Sequence, residues 1–133
     1  MPEKVSFELV SPERLLFTAE VDMVVVPGSE GDFGVLPGHA PLISTLRPGV
    51  IDVWEDNKVT KRLFVGEGFA EVTAERCTVL ADEASPLEEL DRAAVEKRVH
   101  EAESDLKDAE TEAERVRAEQ ALGIARAMQA VVE

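Results

Sequence analysis

The chain is 133 residues long, 44% hydrophobic and only 5% aromatic, with 28 acidic side chains against 14 basic ones and a formal net charge of -14. So acidic a surface excludes a general affinity for nucleic acid or anionic lipid, both polyanions, and favours basic or neutral partners. The single cysteine, Cys77, rules out an internal disulfide, and with His39 and His100 as the only histidines no zinc set forms without carboxylates, so a reducing compartment fits.

In chain order, Met1 to Val10 lacks the apolar core of a signal peptide, and no later run approaches the ~20 apolar residues of a membrane span; a soluble protein is expected. Val5, Phe7 and Leu9 alternate with mostly polar neighbours, the period of a strand with one buried face, and Ser11-Pro12 stops it. Leu15–Thr18 and the valine-rich Val21–Pro27 are two further strand candidates. Gly28 to Leu46 then packs Gly28, Gly31, Gly34, Gly38, Pro37 and Pro41 between short apolar runs, which predicts tight turns between short strands, held on a rigid scaffold and presented outward. Gly49–Trp54, Lys58–Val65, Phe69–Thr73 and Cys77–Ala81 are the remaining strand candidates, with a hairpin turn at Glu55–Lys58. Many short strands with regular turn signals predict an antiparallel sandwich or flattened barrel.

Beyond Ser85-Pro86 there is no proline and one glycine, Gly123; the chain turns to Ala, Glu, Arg and Leu, which favour helix. Ser85 is the expected N-cap, with Pro86 at the first helical position and Glu88 and Glu89 in the first turn. Leu87, Leu90, Ala94, Val95, Val99, Ala102 and Leu106 form one apolar stripe. Thr111-Glu-Ala-Glu114 has capping-box spacing and opens a second stripe, Val116, Leu122, Ile124, Ala125, Met128 and Val131. Two antiparallel helices joined near Asp105–Asp108 are expected, so residues 1–85 read as a β-sandwich domain and 86–133 as an α-helical hairpin. The acidic excess is spread over both parts, as general surface charge.

No residue cluster announces catalysis. His39 as base, Asp32 orienting it and Ser44 as nucleophile are conceivable, but no G-x-S-x-G pattern surrounds Ser44, and a turn histidine is ordinarily a solvated or interface group. The glycines at 28, 31 and 34 lack the lysine of a phosphate loop, and no helix follows them. Cys77 in an alternating strand reads as a buried small hydrophobe, His100 as an exposed helical histidine, and Trp54 and Phe69 as core or interface filler.

Gly28-Ser-Glu-Gly-Asp-Phe-Gly-Val-Leu-Pro-Gly-His-Ala-Pro-Leu, Leu46-Arg-Pro-Gly-Val, Val65-Gly-Glu-Gly-Phe-Ala-Glu-Val and Thr78-Val-Leu-Ala-Asp-Glu-Ala occur in that order, and together they closely resemble the epsilon subunits of bacterial F-type ATP synthases, homologues of mitochondrial delta. The resemblance covers nearly all of Met1–Ala84; the tail matches in length and character more than in residues. It implies a ten-stranded sandwich followed by a helical hairpin, and a non-catalytic place in the central stalk, bound to the gamma subunit and resting on the c-subunit ring, peripheral to the cytoplasmic face of the bacterial inner membrane without entering it. By that resemblance Ser29, Glu30, Gly31, Asp32, Gly38 and His39 would lie at the end facing the c-ring, and a sandwich face near Val65–Val72 would pack on gamma. The tail would reach the alpha and beta subunits through Arg115, Arg117 and Arg126, set against Glu112, Glu114, Glu119 and Glu133, a balance that predicts a weak brake on hydrolysis. Some relatives bind ATP through isoleucine or leucine, aspartate, two free positions, arginine, alanine. Leu90, Asp91 and Arg92 supply the start of that motif here, but Ala94 and Val95 stand at the arginine and alanine positions, so no cofactor is expected. Without the resemblance, the rival reading is a free-standing acidic β-sandwich adaptor whose helical tail recruits a partner.

Overall fold

The computed structural model describes residues 3–132, which divide into two compact units meeting between Pro86 and Leu87. The first unit holds ten strands: β1 Val5–Val10, β2 Leu15–Val21, β3 Met23–Gly28, β4 Gly31–Val35, β5 Leu42–Leu46, β6 Gly49–Glu55, β7 Lys58–Val65, β8 Gly68–Val72, β9 Arg76–Ala81 and β10 Ala84–Pro86. Hydrogen bonding follows the order β10-β7-β6-β3-β5-β8-β9-β1-β2, with β4 added on β3. The only β3 to β5 bridge is Gly28↔Leu46, where the sheet passes from one layer of the sandwich to the other. All neighbouring pairs are antiparallel except β1 with β9, which run parallel.

The period-2 pattern sets what is inside. β1 buries Val5, Phe7 and Leu9 and half-exposes the residues between them. Val24, Val26, Ile51, Val53, Val72 and Val79 join them in one core cluster, each at most 1% exposed. Phe7 and Phe17 pack with ring centroids 5.8 Å apart and planes tilted by 51°. A fully buried aliphatic or aromatic side chain contributes about 1.5–3 kcal/mol, so this cluster is the main favourable term holding the sandwich together. The Glu55–Lys58 turn is as expected: Asp56 and Asn57 have φ of 53° and 65°, the two left-handed positions of a tight two-residue hairpin.

The Gly28–Leu46 stretch is richer in sheet than its composition suggests. It contains β4 and β5, whose apolar residues are separated by glycines that break a readable alternation. Gly28 is obligatory for close approach, since a Cβ there would lie 2.7 Å from the Gly31 carbonyl oxygen and 2.9 Å from the Phe33 ring.

The second unit has a short 3-10 helix, Leu87–Glu89, then α1 Arg92–Asp108 and α2 Glu112–Val131. Helix α1 therefore starts later than the Ser85 cap predicts. Ser85 and Pro86 instead pair with Phe64 and Leu63 as the last strand, so Pro86 ends the sandwich. Leu87 and Leu90 consequently precede the stripe they were expected to open. The link between helices is Ala109 to Thr111, not Asp105–Asp108, because Leu106 extends the apolar stripe and carries α1 one turn further. Val99, Ala102, Leu122 and Ala125 form the seam, with Leu106 packed on it. Thr111 caps α2 as expected, accepting from the Glu114 N–H at 3.1 Å while Glu114 accepts from the Thr111 N–H at 3.0 Å.

Candidate docking surfaces

Strands β3 and β4 form a hairpin whose two-residue tip, Ser29-Glu30, is closed by the pair Gly28↔Gly31, with Pro27 opposite Asp32. Ser29, Glu30, Gly31 and Asp32 are all exposed. A tip this short would sway if it were held only by its own ladder, but Arg47 braces it. The guanidinium donates to the Gly28 carbonyl at 2.5 Å and pairs with the Asp32 carboxylate, while the Arg47 N–H donates to the Pro27 carbonyl at 3.0 Å. Ser29 adds its N–H to the Thr45 carbonyl at 2.9 Å, and its hydroxyl meets the Thr45 hydroxyl at 2.7 Å. The Arg47–Asp32 pair is solvent-exposed and contributes about 0–1 kcal/mol, so its effect is orientation of the tip more than stability. Arg47 was missed as a functional residue; a lone cation followed by proline beside the acidic glycine-rich run was the available signal.

The Gly38–His39 turn is built differently. Pro37 and Gly38 occupy its centre, Gly38 with φ of 86°, and the His39 N–H closes it on the Leu36 carbonyl at 3.1 Å, the geometry of a type II turn. The Gly38 N–H donates to Ala74 at 2.7 Å. Because β4 runs away from the tip and β5 returns to it, this turn sits at the opposite end of those five-residue strands, roughly 15 Å away at strand rise. The expectation of one cluster joining Gly38 and His39 to Ser29–Asp32 thus gives way to two separate ends.

The catalytic possibility disappears in the same geometry. His39 engages the Ala40 carbonyl through Nδ1 at 2.7 Å, Asp32 is held by Arg47, and the Ser44 hydroxyl donates to the Thr45 carbonyl at 3.0 Å. Cys77 is fully buried, and burial pushes its thiol up to about 12, which leaves no thiolate nucleophile near neutrality. Among the described residues no group of three His, Cys, Asp or Glu side chains is placed to hold a metal ion.

One face of the sandwich carries two exposed hydrophobes. In the register Ile43↔Glu71 and Thr45↔Phe69, these four side chains share the outer face of β5 and β8. Ile43 is 70% exposed and Phe69 42%, which makes Phe69 surface, not core filler. Adjacent exposed large hydrophobes mark a contact surface.

In the helical unit the expected residues are largely engaged. Asp91 is the N-cap of α1, its carboxylate accepting from the Ala94 N–H at 2.9 Å; Arg92 is exposed on the first turn. Leu90, Asp91 and Arg92 thus lie at a helix start, with Ala94 where the ATP motif of some relatives has arginine. Arg115 pairs with Glu112 and with Glu119, the latter at 3.0 Å, and Arg126 reaches across to Glu103 at 3.2 Å. Arg117 is exposed. The Glu114 carboxyl is held below its usual range by the Glu110 N–H first, then by the Thr111 hydroxyl and N–H.

Fold and surfaces together define a class: a two-layer β-sandwich followed by a helical hairpin, carrying a braced hairpin tip and a sheet face with exposed Ile43 and Phe69 in place of a catalytic cleft. Residues 4–87 match the family described as ATP synthase, Delta/Epsilon chain, beta-sandwich domain, and the chain belongs to that family. It is 58% identical to the ATP synthase epsilon chain of Rhodospirillum rubrum, over 96% of both chains, and 52% identical to that of Paramagnetospirillum magneticum, over 99% of both. Among solved structures it is similar to a chain of the Euglena gracilis mitochondrial ATP synthase OSCP/F1/c-ring assembly, with a TM-score of 0.80 and 28% identity, covering 98% of this chain and 82% of that one. A chain in the Tetrahymena thermophila mitochondrial ATP synthase central stalk/c-ring structure shares the fold, with a TM-score of 0.69 at 15% identity and 98% coverage of both.

Proposed function

We propose that the chain is a central-stalk subunit of a proton-translocating ATP synthase, non-catalytic, that couples rotation of a c-subunit ring to the catalytic head through the gamma subunit. The observation that carries this reading is the Arg47-braced tip Ser29–Asp32: a polar, rigid protrusion suits the hydrophilic loops of a membrane ring, and its acidic side chains suit basic partners there. The outer face offers gamma a mixed surface, with Ile43 and Phe69 as its apolar contacts beside Thr45 and Glu71. Gly38 and His39 flank the other end of β4 and are assigned no ring contact. The position that goes with this role is peripheral, on the cytoplasmic face of a bacterial inner membrane; no helix among the described residues is long and apolar enough to cross a membrane.

The two units divide the work: the sandwich docks, and the hairpin regulates weakly, since Arg115 and Arg126 already have carboxylate partners within it. Replacing Glu30 by tryptophan adds bulk at an exposed tip without touching the core. Proton-driven ATP synthesis by the reconstituted complex is expected to fall roughly tenfold, the effect of about 1.4 kcal/mol of lost docking. Hydrolysis by the detached catalytic head and the melting temperature of the subunit should stay unchanged. Undiminished synthesis in that variant counts against the tip as the ring contact.

A further inference from the structure

At the end of the sandwich opposite the Ser29-Glu30 tip lies an open groove of about 670 Å³, with Glu3, Asp22, Met23, Leu36, Trp54 and Asn57 in its walls. Its floor follows from the register. Met23 and Trp54 are partners on β3 and β6, so both side chains stand on the same outer face, and Leu36, 55% exposed, adds an aliphatic edge. The Trp54 indole nitrogen is buried with no hydrogen-bond partner, an uncompensated donor of a kind that costs about 1–3 kcal/mol. The rim is acidic. Asp22 pairs with the Lys4 ammonium at 2.7 Å and accepts the Asp56 N–H at 2.8 Å, and Glu55 and Asp56 are near enough to act on the same ammonium. With Glu3, these carboxylates outnumber the cation they surround.

We propose that this groove docks a basic, partly aliphatic segment of a partner protein: an aliphatic side chain on Met23, Leu36 and the Trp54 ring, and a Lys or Arg against the carboxylate rim. A second copy of this chain is disfavoured as occupant, because two molecules of charge -14 repel and bring more carboxylates to an acidic rim. The groove lies at the end of the strands away from the tip, so it is a contact additional to the ring docking proposed above and does not depend on it.

Trp54 is the single tryptophan of the chain, so one indole N–H resonance of the isotope-labelled full-length protein reports on this groove. Titration with acetyl-Leu-Arg-Leu-amide is expected to move that resonance saturably, while acetyl-Leu-Glu-Leu-amide leaves it in place. Binding of the arginine peptide should weaken about fivefold in Glu3→Gln/Asp56→Asn, and by a similar factor in about 0.5 M salt, where exposed charges are screened. Equal response to both peptides, or no saturable response up to about 10 mM peptide, overturns the proposal. So does an indole resonance that moves with protein concentration alone, which would make a second copy the occupant.

Discussion

In the sandwich, Val5, Phe7, Val24, Val26, Ile51 and Val65 are 0% exposed and belong to one continuous cluster; in the helical unit the seam is Val99, Ala102, Leu122 and Ala125, and two of those four are alanine. The same chain thus builds one part from deep burial and the other from a thin seam reinforced at its ends. The Thr111–Glu114 capping box, the Arg126–Glu103 ion pair between helices and the Asp91 cap supply local definition that the seam cannot. A part stabilised this way opens at lower cost than its neighbour, which suits regulation; a part with a continuous core suits the transmission of force.

The contrast is broken most directly by cutting into each seam. Phe7→Ala should cost the sandwich about 3–5 kcal/mol, and Leu122→Ala about 2 kcal/mol in the hairpin. Hydrogen exchange distinguishes the two: Leu122→Ala should expose the amides of α1 and α2 while those of β1, β6 and β9 stay protected. Loss of protection in both units together would show that they do not open independently.

A smaller effect is expected at the α2 cap. Thr111→Ala removes the acceptor for the Glu114 N–H and should lower hairpin stability by about 1 kcal/mol, read by thermal melting of the helical signal. The cap also makes the hairpin sensitive to acid. The folded-state pKa of Glu114 is depressed below its unfolded value by the N–H groups it accepts from, so its contribution is present above the unfolded pKa and is lost as pH falls through the folded one. Helix α2 should therefore fray on acidification in the native chain, and a Glu114→Gln variant should lose that part of the pH dependence.

The smallest effect sharpens the comparison from the other side. Gly123 lies inside α2 with nothing within 4 Å of where a Cβ would stand, so Gly123→Ala should stabilise the hairpin by about 0.5–1 kcal/mol through helix propensity alone. A raised melting temperature of the helical unit with an unchanged sandwich confirms it; destabilisation would reveal a required bend at that position.

Elements written in local pattern were legible from the sequence. The alternation of β1, the Asp56-Asn57 turn and the Thr111 capping box depend on residues a few positions apart, and each appears where the spacing predicts it. What escaped depends on distant partners. Strand β10 is three residues paired with Leu63–Val65, too short to show a period, and it takes Ser85 and Pro86 away from the helix start that their types suggest. The tip was visible in its glycines, but its brace was not, because Arg47 is 15 or more residues from the groups it holds. Nor could spacing alone say that Gly38 and Asp32, six positions apart, sit at opposite ends of a strand; that required the register of β4 on β3.

The parallel pairing of β1 with β9 reaches beyond architecture, into the order in which the chain is made. Strand β1 leaves the ribosome first, yet the neighbour that completes its ladder, Arg76–Ala81, follows some seventy residues later. At roughly 5–20 residues per second, β1 spends several seconds with one edge unpaired, held on the other by β2, while β3 to β8 emerge. Lys4 and the alternating Ser6 and Glu8 keep that waiting segment polar on one side, a safeguard for the nascent chain as much as for the finished sandwich.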